Sequence, residues 1–239
     1  MRIHFLGSAK PAAQRAVQLL VARYGQSAIE EATHIVAIGG DGTALNALHA
    51  VRPTGRPVFA MRLPESVGAL GNPFDPLGLP ERLTSARKIS IRPLKAEATR
   101  VAGGTATIFG INEIVVSRQR LQAAKLHVTM GETERCRKLI GDGLLVCTSI
   151  GSTGYNRSAG GPRLPQGSQL LAVTGLAVHH SSDWSNTVLN DQHIVDIEVV
   201  DHAYRQVRVE TNMEDVPGIS RVRISSCRHS ALTLLLEGQ

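Results

Sequence analysis

GDGLLVCTSIGSTGYNRSAGGP, residues 141–162, and GGDGT, residues 39–43, are the two stretches that decide how this 239-residue chain is interpreted. GGDGT follows the apolar run His34–Ile38, which is typical of a buried strand. Glycines at the end of a strand let backbone amides turn toward a phosphate group without obstruction by side chains. Asp41, the one carboxylate of this loop, can accept a proton or contact a metal. The longer stretch has small and hydroxyl residues around Tyr155, which suits close approach of a ligand to the backbone. Together they predict phosphoryl transfer to a dinucleotide.

The first ninety residues alternate strand and helix patterns. The α/β pattern predicts ligand binding beyond the carboxyl ends of the strands, where a helix starting at Thr43 or just after would direct its positive end at the glycine loop. The predicted strands are Arg2–Leu6, His34–Ile38 and Val58–Arg62, and the predicted helices are Pro11–Tyr24, one from about Thr43, and a short one at Pro80–Ser85.

From about Ile89 the sequence changes to short alternating segments with few helix signals, which predicts an all-β, sandwich-like domain. A short helix is expected near Ser158. The resulting division is an α/β domain over residues 1–90, a β-rich domain over 91–226, and a tail over 227–239. The predicted strands are Ile89–Arg92, Ala96–Ala102, Thr105–Phe109, Ile114–Ser117, Ala124–Met130, Arg135–Gly141, Gln192–Val199, Gln206–Glu210 and Arg221–Ser225.

A third short motif, Asn112-Glu113, follows the apolar stretch Thr107–Ile111 and lies between the two longer ones. GGDGT alone recurs in several kinase families, but three blocks in this order are hard to explain by chance. With all three, the chain resembles the NAD kinase family, whose long block reads GDGL…TPTGSTAYSLSAGGP. The resemblance implies an α/β N-terminal domain, a β-sandwich-like C-terminal domain, and a tail that returns to the first domain, for which Ala231–Leu236 is the candidate.

The resemblance also implies the reaction, transfer of a phosphoryl group from ATP or polyphosphate to the adenosine-ribose 2′-hydroxyl of NAD, producing NADP. Asp41 takes the catalytic position, since a carboxylate can accept the proton of a poorly nucleophilic secondary alcohol. The donor phosphates are expected at Gly39, Gly40, Gly42 and Thr43. Magnesium is expected to arrive with the nucleotide, because phosphate oxygens are its preferred ligands, and no metal site built from protein side chains alone is predicted.

The NAD-binding residues implied by the resemblance lie in the β-rich domain. An amide such as Asn112 can read an adenine edge, and a carboxylate such as Glu113 can accept from ribose hydroxyls. Asp142 matches the acidic residue near the nicotinamide end, and the residues around the adenosine correspond to Thr153, Gly154, Tyr155 and Ser158.

Departures from the family pattern concern the substrate pocket more than the reaction. The family's GxNxGxLGF stretch supplies an amide and an aromatic ring, whose places are taken here by Arg62 and Asn72. Replacing the lost ring through Asn72→Phe is therefore expected to improve NAD binding. A late Asp-Gly of the family is replaced by Thr211-Asn212. Two alternatives to NAD kinase activity stay open: a related GGDGT kinase with another acceptor, and a weakly catalytic nucleotide-binding regulator.

Composition favours a cytoplasmic enzyme of small molecules. The net charge is +6, but the basic residues are scattered and only 3% of residues are aromatic, so no nucleic-acid partner is expected. No apolar run approaches the roughly 20 residues of a membrane span. Three cysteines without metal-ligand spacing favour a reducing compartment. Since members of the family are commonly dimers or tetramers, a homodimer or homotetramer is expected.

Overall fold

The computed structural model describes residues 1–66, 68–131 and 137–238, without the side chain of Arg137, and divides the chain into two compact units. Unit 1 comprises Met1–Ile91 and Ser230–Gln239, and unit 2 comprises Arg92–His229. Strands greatly outnumber helices among the described residues. The same residues contain no helix long and apolar enough to cross a membrane.

Unit 1 carries the parallel strands. Its elements are β1 (Ile3–Gly7), α1 (Pro11–Tyr24), β2 (His34–Ile38), α2 (Asp41–Ala50), β3 (Val58–Arg62), β4 (Asn72–Pro73), α3 (Leu79–Ser85) and β5 (Arg87–Ile91).

Unit 2 is built almost wholly of strands. Its elements are β6 (Leu94–Arg100), β7 (Thr105–Gly110), β8 (Glu113–Arg118), β9 (Ala124–Met130), β10 (Arg137–Gly141), β11 (Gly143–Cys147), α4 (Tyr155–Ser158), β12 (Leu170–Leu176), β13 (Thr187–Asn190), β14 (Val195–Val199), β15 (Val207–Glu210), β16 (Asp215–Pro217) and β17 (Ile219–Ser226). The last strand of the chain, β18 (Leu232–Leu236), belongs to unit 1.

The sheet of unit 1 has the order β1-β2-β3-β18-β5, with β4 paired to the end of β3. Strands β1, β2 and β3 are parallel, so their carboxyl ends lie at one edge of the sheet. Helix α1 packs against β1 and β2, and α2 packs against β2, β3 and β18. Burial of β2 along almost its whole length explains its continuous apolar sequence. The glycine loop that follows β2 therefore starts at the carboxyl edge of the sheet.

Helix α1 forms because its sequence has suitable residues at both helix ends and an apolar face along one side. Pro11 occupies the first turn, where its missing amide costs nothing, and Ala13, Ala16 and Leu20 are buried at helical spacing. Gly25 ends the helix at a φ of +76°, and its amide bonds the Val21 carbonyl at 2.9 Å.

Unit 2 contains two antiparallel six-stranded sheets that share one core. Their orders are β10-β9-β14-β17-β6-β7 and β13-β12-β11-β8-β15-β16. Alternate residues of both sheets meet in a single apolar cluster, for example Leu126 and Ile197 of the first and Leu144 and Val173 of the second. A smaller cluster that includes Leu145, Cys147, Leu164 and Ala172 covers the other face of the second sheet. Strands β8, β11 and β12 are therefore buried on both faces.

The observed elements correct several expectations. Helix α2 begins at Asp41, two residues before the earliest predicted start, and Gly40 is its N-cap residue. The earlier start is favourable because it places the acidic side chain of Asp41 in the first turn. Strands β11 and β12 were not predicted as strands, since burial on both faces removes the alternating pattern. Residues 135 and 136 of the predicted strand Arg135–Gly141 lie outside the described residues; the strand is described from Arg137.

Candidate functional site

The turn between β2 and α2 holds GGDGT against the sheet. The Gly39 amide donates to the Met61 carbonyl at 2.9 Å, and the Thr43 amide to the Gly40 carbonyl at 2.9 Å. Gly39 is required sterically, because a Cβ there would lie 2.3 Å from Thr43 Oγ1. A Cβ on Gly42, by contrast, would meet nothing within 4 Å. The first amides of a helix lack intrahelical partners, so this turn offers backbone donors beside open space.

Asp41 directs its carboxylate at a second loop of unit 1. The Ala69 amide donates to Oδ2 at 3.0 Å and the Leu70 amide donates to Oδ1 at 2.9 Å. Gly68 packs directly on the same carboxylate, since a Cβ there would lie 2.2 Å from Oδ1. A carboxylate has about four acceptor positions, so each oxygen keeps a lone pair for another donor.

Arg62 and Asn72 close the two ends of this second loop, and the side chain of Asn72 is directed into the sheet of unit 1 rather than toward a ligand. The exposed Arg62 donates from Nη1 to the Gly68 carbonyl at 2.8 Å. Asn72 is buried, its Nδ2 donates to the carbonyls of Ala60 and Leu235 at 3.1 and 3.0 Å, and its Oδ1 accepts from the Glu237 amide at 2.8 Å. The expected benefit of Asn72→Phe is therefore wrong, because a ring at this position would break three hydrogen bonds inside the sheet.

In unit 2, Asn112 and Glu113 lie where β8 begins, and both carry buried oxygens without partners. Asn112 Oδ1 and Glu113 Oε2 have no hydrogen-bond partner among the described residues. Burial raises the pKa of the Glu113 carboxyl to about 7. Glu113 lies opposite Cys147 in the β8–β11 register, and burial, together with the Glu113 charge, raises the pKa of that thiol to about 12. Two adjacent orphaned acceptors call for donors from a ligand.

Residues 148–164 fold back over this position. The Thr148 amide donates to the Asn112 carbonyl at 2.8 Å, and a Cβ on Gly151 would lie 2.3 Å from the same oxygen. Asn156, which is fully buried, donates to the carbonyls of Ser152 and Pro162 at 3.2 and 2.8 Å. Its Oδ1 accepts from Thr174 Oγ1 on β12 at 2.7 Å. These bonds fix the turn beside Asn112-Glu113.

The residues predicted to surround the adenosine are displayed outward by that turn. Thr153, Gly154 and Ser158 are exposed, and Tyr155 is 48% exposed. An exposed ring beside exposed backbone suits stacking and close approach of a flat ligand. The structure thus brings these residues together with Asn112-Glu113 in one part of unit 2.

Asp142 is not part of this group. It lies next to β11 at the end far from Cys147, about 16 Å along the strand at roughly 3.3 Å per residue. Its Oδ1 pairs with Arg118 Nε at 2.8 Å on a half-exposed surface. The described part of unit 2 therefore separates Asp142 from the other predicted NAD-binding residues.

Two structural roles were missed from the sequence. Asn156 holds the turn together, whereas the sequence analysis named only its neighbours as site residues. The sequence does contain an indication of this role, because an asparagine amide in a stretch of small residues can bond several backbone groups. Thr211 closes the turn before β16, its Oγ1 accepting from the amides of Met213 and Glu214 at 3.2 and 3.1 Å.

Magnesium fits as a companion of the nucleotide. The described residues contain no group of three or more His, Cys, Asp or Glu side chains that could hold a metal ion. Asp41 is the one carboxylate of the glycine loop and keeps a lone pair on each oxygen. Mg²⁺ retains waters and binds through one or two carboxylates plus phosphate oxygens, so this small donor set suits it.

Comparisons with known proteins agree with one another. The family profile described as ATP-NAD kinase C-terminal domain matches residues 111–236. Curated proteins named NAD kinase match over 99% of this chain: those of Hyphomonas neptunium and Xylella fastidiosa (strain Temecula1) are 38% identical, with 92% and 90% of their own lengths covered. The NAD kinase of Brucella suis is 35% identical, with 92% covered.

Two solved structures share the fold. Yeast NADH kinase complexed with NADH aligns with a TM-score of 0.80 at 16% identity, covering 100% of this chain and 84% of that one. An NAD kinase from Archaeoglobus fulgidus in complex with ATP aligns with a TM-score of 0.75 at 19% identity, covering 98% and 93%. The matched profile and the near-full-length relatives together establish that the chain belongs to the NAD kinase family.

Proposed function

We propose that this protein is an ATP-dependent NAD kinase, which transfers the terminal phosphoryl group of ATP to the adenosine-ribose 2′-hydroxyl of NAD and releases NADP. The observation that carries the proposal is the pair of buried oxygens on Asn112 and Glu113, beside the exposed Tyr155 turn, for which the described part of the chain provides no partner. An adenine amino group supplies a donor for the amide oxygen, and ribose hydroxyls supply donors for the carboxylate. Family membership supports the same assignment.

Asp41 is assigned as the general base. It accepts the proton of the 2′-hydroxyl while that oxygen bonds to the terminal phosphorus and the bond to the leaving diphosphate breaks. Its support is geometric: two backbone amides fix the carboxylate and leave one lone pair on each oxygen.

The glycine turn is assigned to the donor phosphates. Gly39, Gly40, Gly42 and Thr43 form this turn; the amides of Gly39 and Thr43 are bonded to backbone carbonyls, and the remaining amides at the start of α2 lie beside the open space at Gly42. Mg²⁺, carried by ATP, would neutralise phosphate charge, with Asp41 as the protein carboxylate available to it. Polyphosphate is an alternative donor, because the role assigned to this turn involves phosphate groups alone.

The exposed residues Thr153, Gly154, Tyr155 and Ser158 are assigned to the adenosine. Asp142 is assigned to the nicotinamide end, although its salt bridge with Arg118 would have to open or be shared.

Two further expectations remain proposals. A cytoplasmic location is supported by Cys147, a free and buried cysteine. A homodimer or homotetramer is expected from the family resemblance, and light scattering of the purified protein would measure the mass of the assembly.

The test is an assay of purified protein with ATP, Mg²⁺ and either NAD or NADH, in which NADP formation is followed by an NADP-specific dehydrogenase. Asp41→Asn is expected to lower kcat by about 10²- to 10⁴-fold, because the amide cannot accept the proton. NAD binding measured by calorimetry should be largely retained.

Asp75→Asn is the matched control, since Asp75 Oδ1 also accepts a backbone amide, that of Leu77 at 2.8 Å, but lies outside GGDGT. It should keep wild-type turnover. An Asp41→Asn variant with most of its activity would remove Asp41 as the base, and a wild-type protein that forms no NADP would refute the kinase assignment.

A further inference from the structure

The carboxylate of Asp41 is held by an arrangement that the phosphate turn does not explain. An aspartate in the first turn of a helix can bond the free amides of its own helix. Here both oxygens accept instead from Ala69 and Leu70, residues that lie 28 and 29 positions further along the chain. The amides at the start of α2 are thereby left available to an anionic ligand.

Residues 68–70, which contact Asp41, are also held by a hydrogen bond from the Arg62 side chain. The Gly68 carbonyl accepts from Arg62 Nη1 at 2.8 Å, and the next residues, Ala69 and Leu70, donate to the carboxylate. Beyond them Leu70 is buried, and Asn72 is bonded inside the sheet. Arg62 therefore fixes the upstream end of the segment and Asn72 fixes the downstream end.

Close packing makes the position of this segment critical. A Cβ at Gly68 would approach Asp41 Oδ1 to 2.2 Å and Cγ to 2.5 Å, so the backbone rests directly on the carboxyl group. A small displacement of Gly68 moves both donors away from the carboxylate. Since Arg62 is exposed and its guanidinium makes this contact at the surface, it can be altered without opening the core.

We propose that Arg62 is a positioning residue for phosphoryl transfer: by holding the Gly68 carbonyl, it keeps the Ala69 and Leu70 amides on Asp41 and so fixes the orientation of that carboxylate. The inference rests on the proposed role of Asp41 as the base. It predicts that Arg62 acts on turnover rather than on dinucleotide binding. Arg62→Met removes the donor and keeps an unbranched chain, whereas Arg62→Lys restores a cationic donor.

Steady-state kinetics and backbone hydrogen exchange test the proposal together. We expect Arg62→Met to lower kcat by about 10- to 100-fold, the range for a misplaced reacting group, while the Kd for NAD measured by calorimetry stays within about twofold of wild type. Arg62→Lys should recover part of the loss. By NMR, the amides of Ala69 and Leu70 should exchange faster in Arg62→Met than in the wild type.

Two further variants sharpen the test. Arg2→Met is the matched control: Arg2 is also exposed and its Nε donates to a backbone carbonyl, that of Glu31 at 2.6 Å, but it precedes β1, at the amino end of that strand. It should change neither kcat nor the exchange of the two amides. Gly68→Ala displaces the same segment from the other side, so it should lower kcat similarly, and the double variant with Arg62→Met should be little worse than the worse single variant.

The outcomes separate this inference from the kinase assignment. Unchanged exchange of Ala69 and Leu70 in Arg62→Met overturns the positioning role, whatever the kinetics. A raised Kd for NAD with unchanged kcat overturns it as well, since Arg62 would then be a ligand contact. If the wild-type protein forms no NADP, the kinase assignment fails, and the exchange measurement alone still decides whether Arg62 holds the two amides on Asp41.

Discussion

Glu113 is a predicted site residue whose carboxyl has a strongly raised pKa. Burial alone raises the pKa of its carboxyl from 4.5 to about 7, and one of its oxygens has no partner among the described residues. A group retained in such a position at a cost in stability is characteristic of a binding or catalytic site. Its neighbour Asn112 has a buried amide oxygen to which no residue that the structure describes donates a hydrogen bond.

The raised pKa of Glu113 predicts a pH dependence of stability. Between pH 4.5 and about 7 the unfolded chain releases the Glu113 proton while the folded protein retains it, so the free energy of unfolding falls as the pH rises through this window and is flat above it. The loss is about 3 kcal/mol, at roughly 1.4 kcal/mol for each tenfold change in the ionisation constant. Glu113→Gln does not titrate and should lack this component.

Urea unfolding at pH 5 and pH 8 without ligand measures the difference. The free energy of unfolding of the wild type should fall by more between these two values than that of Glu113→Gln. Glu198→Gln, which replaces an exposed carboxylate on β14, should follow the wild type. Parallel pH profiles for wild type and Glu113→Gln would mean that the Glu113 carboxyl is hydrated in solution.

Single residues were predictable from the sequence where a motif constrained them, and less so where packing decided. Asp41 lies beside the glycines that its motif names. Asn72 was given a ligand-facing role by its place in a family pattern, yet its amide bonds Ala60, Leu235 and Glu237. Two of those partners lie more than 160 positions away in the sequence, and a local sequence pattern cannot predict a contact at that separation.

At the scale of elements, local periodicity was sufficient in unit 1. The bounds of α1, β2 and β3 were predicted to the residue, because each is delimited by Pro, Gly or polar residues and contains an uninterrupted apolar pattern. In unit 2, β9 was predicted in full from the alternation of its sequence, and its residues are alternately buried and half-buried in the structure. Strands β11 and β12 lacked that alternation, because a second apolar cluster covers their outer face.

The turn of residues 152–162 provides a prediction at the element scale. Asn156→Ala removes the bonds to the carbonyls of Ser152 and Pro162 and leaves the buried Thr174 hydroxyl without an acceptor. We expect the free energy of unfolding to fall by about 1 to 3 kcal/mol, the cost of orphaning a buried polar group, and NAD binding to weaken because Tyr155 loses its support.

Chemical denaturation and calorimetry on Asn156→Ala check both effects, and Ser158→Ala is the control for stability, because Ser158 lies on the exposed side of the same turn. Adding Thr174→Val should restore part of the lost stability, since both partners of the buried bond are then removed. A double variant no more stable than Asn156→Ala would show that the two backbone carbonyls, rather than the Thr174 hydroxyl, carry the cost.

At the scale of the whole chain, unit 1 is composed of two segments far apart in sequence. Strand β18 lies between β3 and β5: Leu234 is opposite Val58, in parallel, and Ile89, in antiparallel register. The family resemblance named Ala231–Leu236 as the candidate segment that returns to the first domain, but its neighbours in the sheet could not be derived from composition or spacing. Strand β18 fills an interior position of the sheet, so unit 1 is incomplete until residues 232–236 have been made.

A chain that ends at Ser230 should therefore lose the structure of unit 1. The deletion removes four buried leucines, Leu232, Leu234, Leu235 and Leu236. Each contributes roughly 1.5 to 3 kcal/mol, which together is comparable with the whole stability of about 5 to 15 kcal/mol of an ordinary domain. It also exposes the facing edges of β3 and β5, and such unpaired edges favour aggregation. Hydrogen exchange measured by mass spectrometry should show protection lost over residues 1–91 and retained over 92–229, whereas a chain ending at Gly238 should match the 239-residue chain. Retained protection over residues 1–91 in the chain ending at Ser230 would mean that the remaining strands close the sheet without β18, and that the final strand is an addition to a unit already stable.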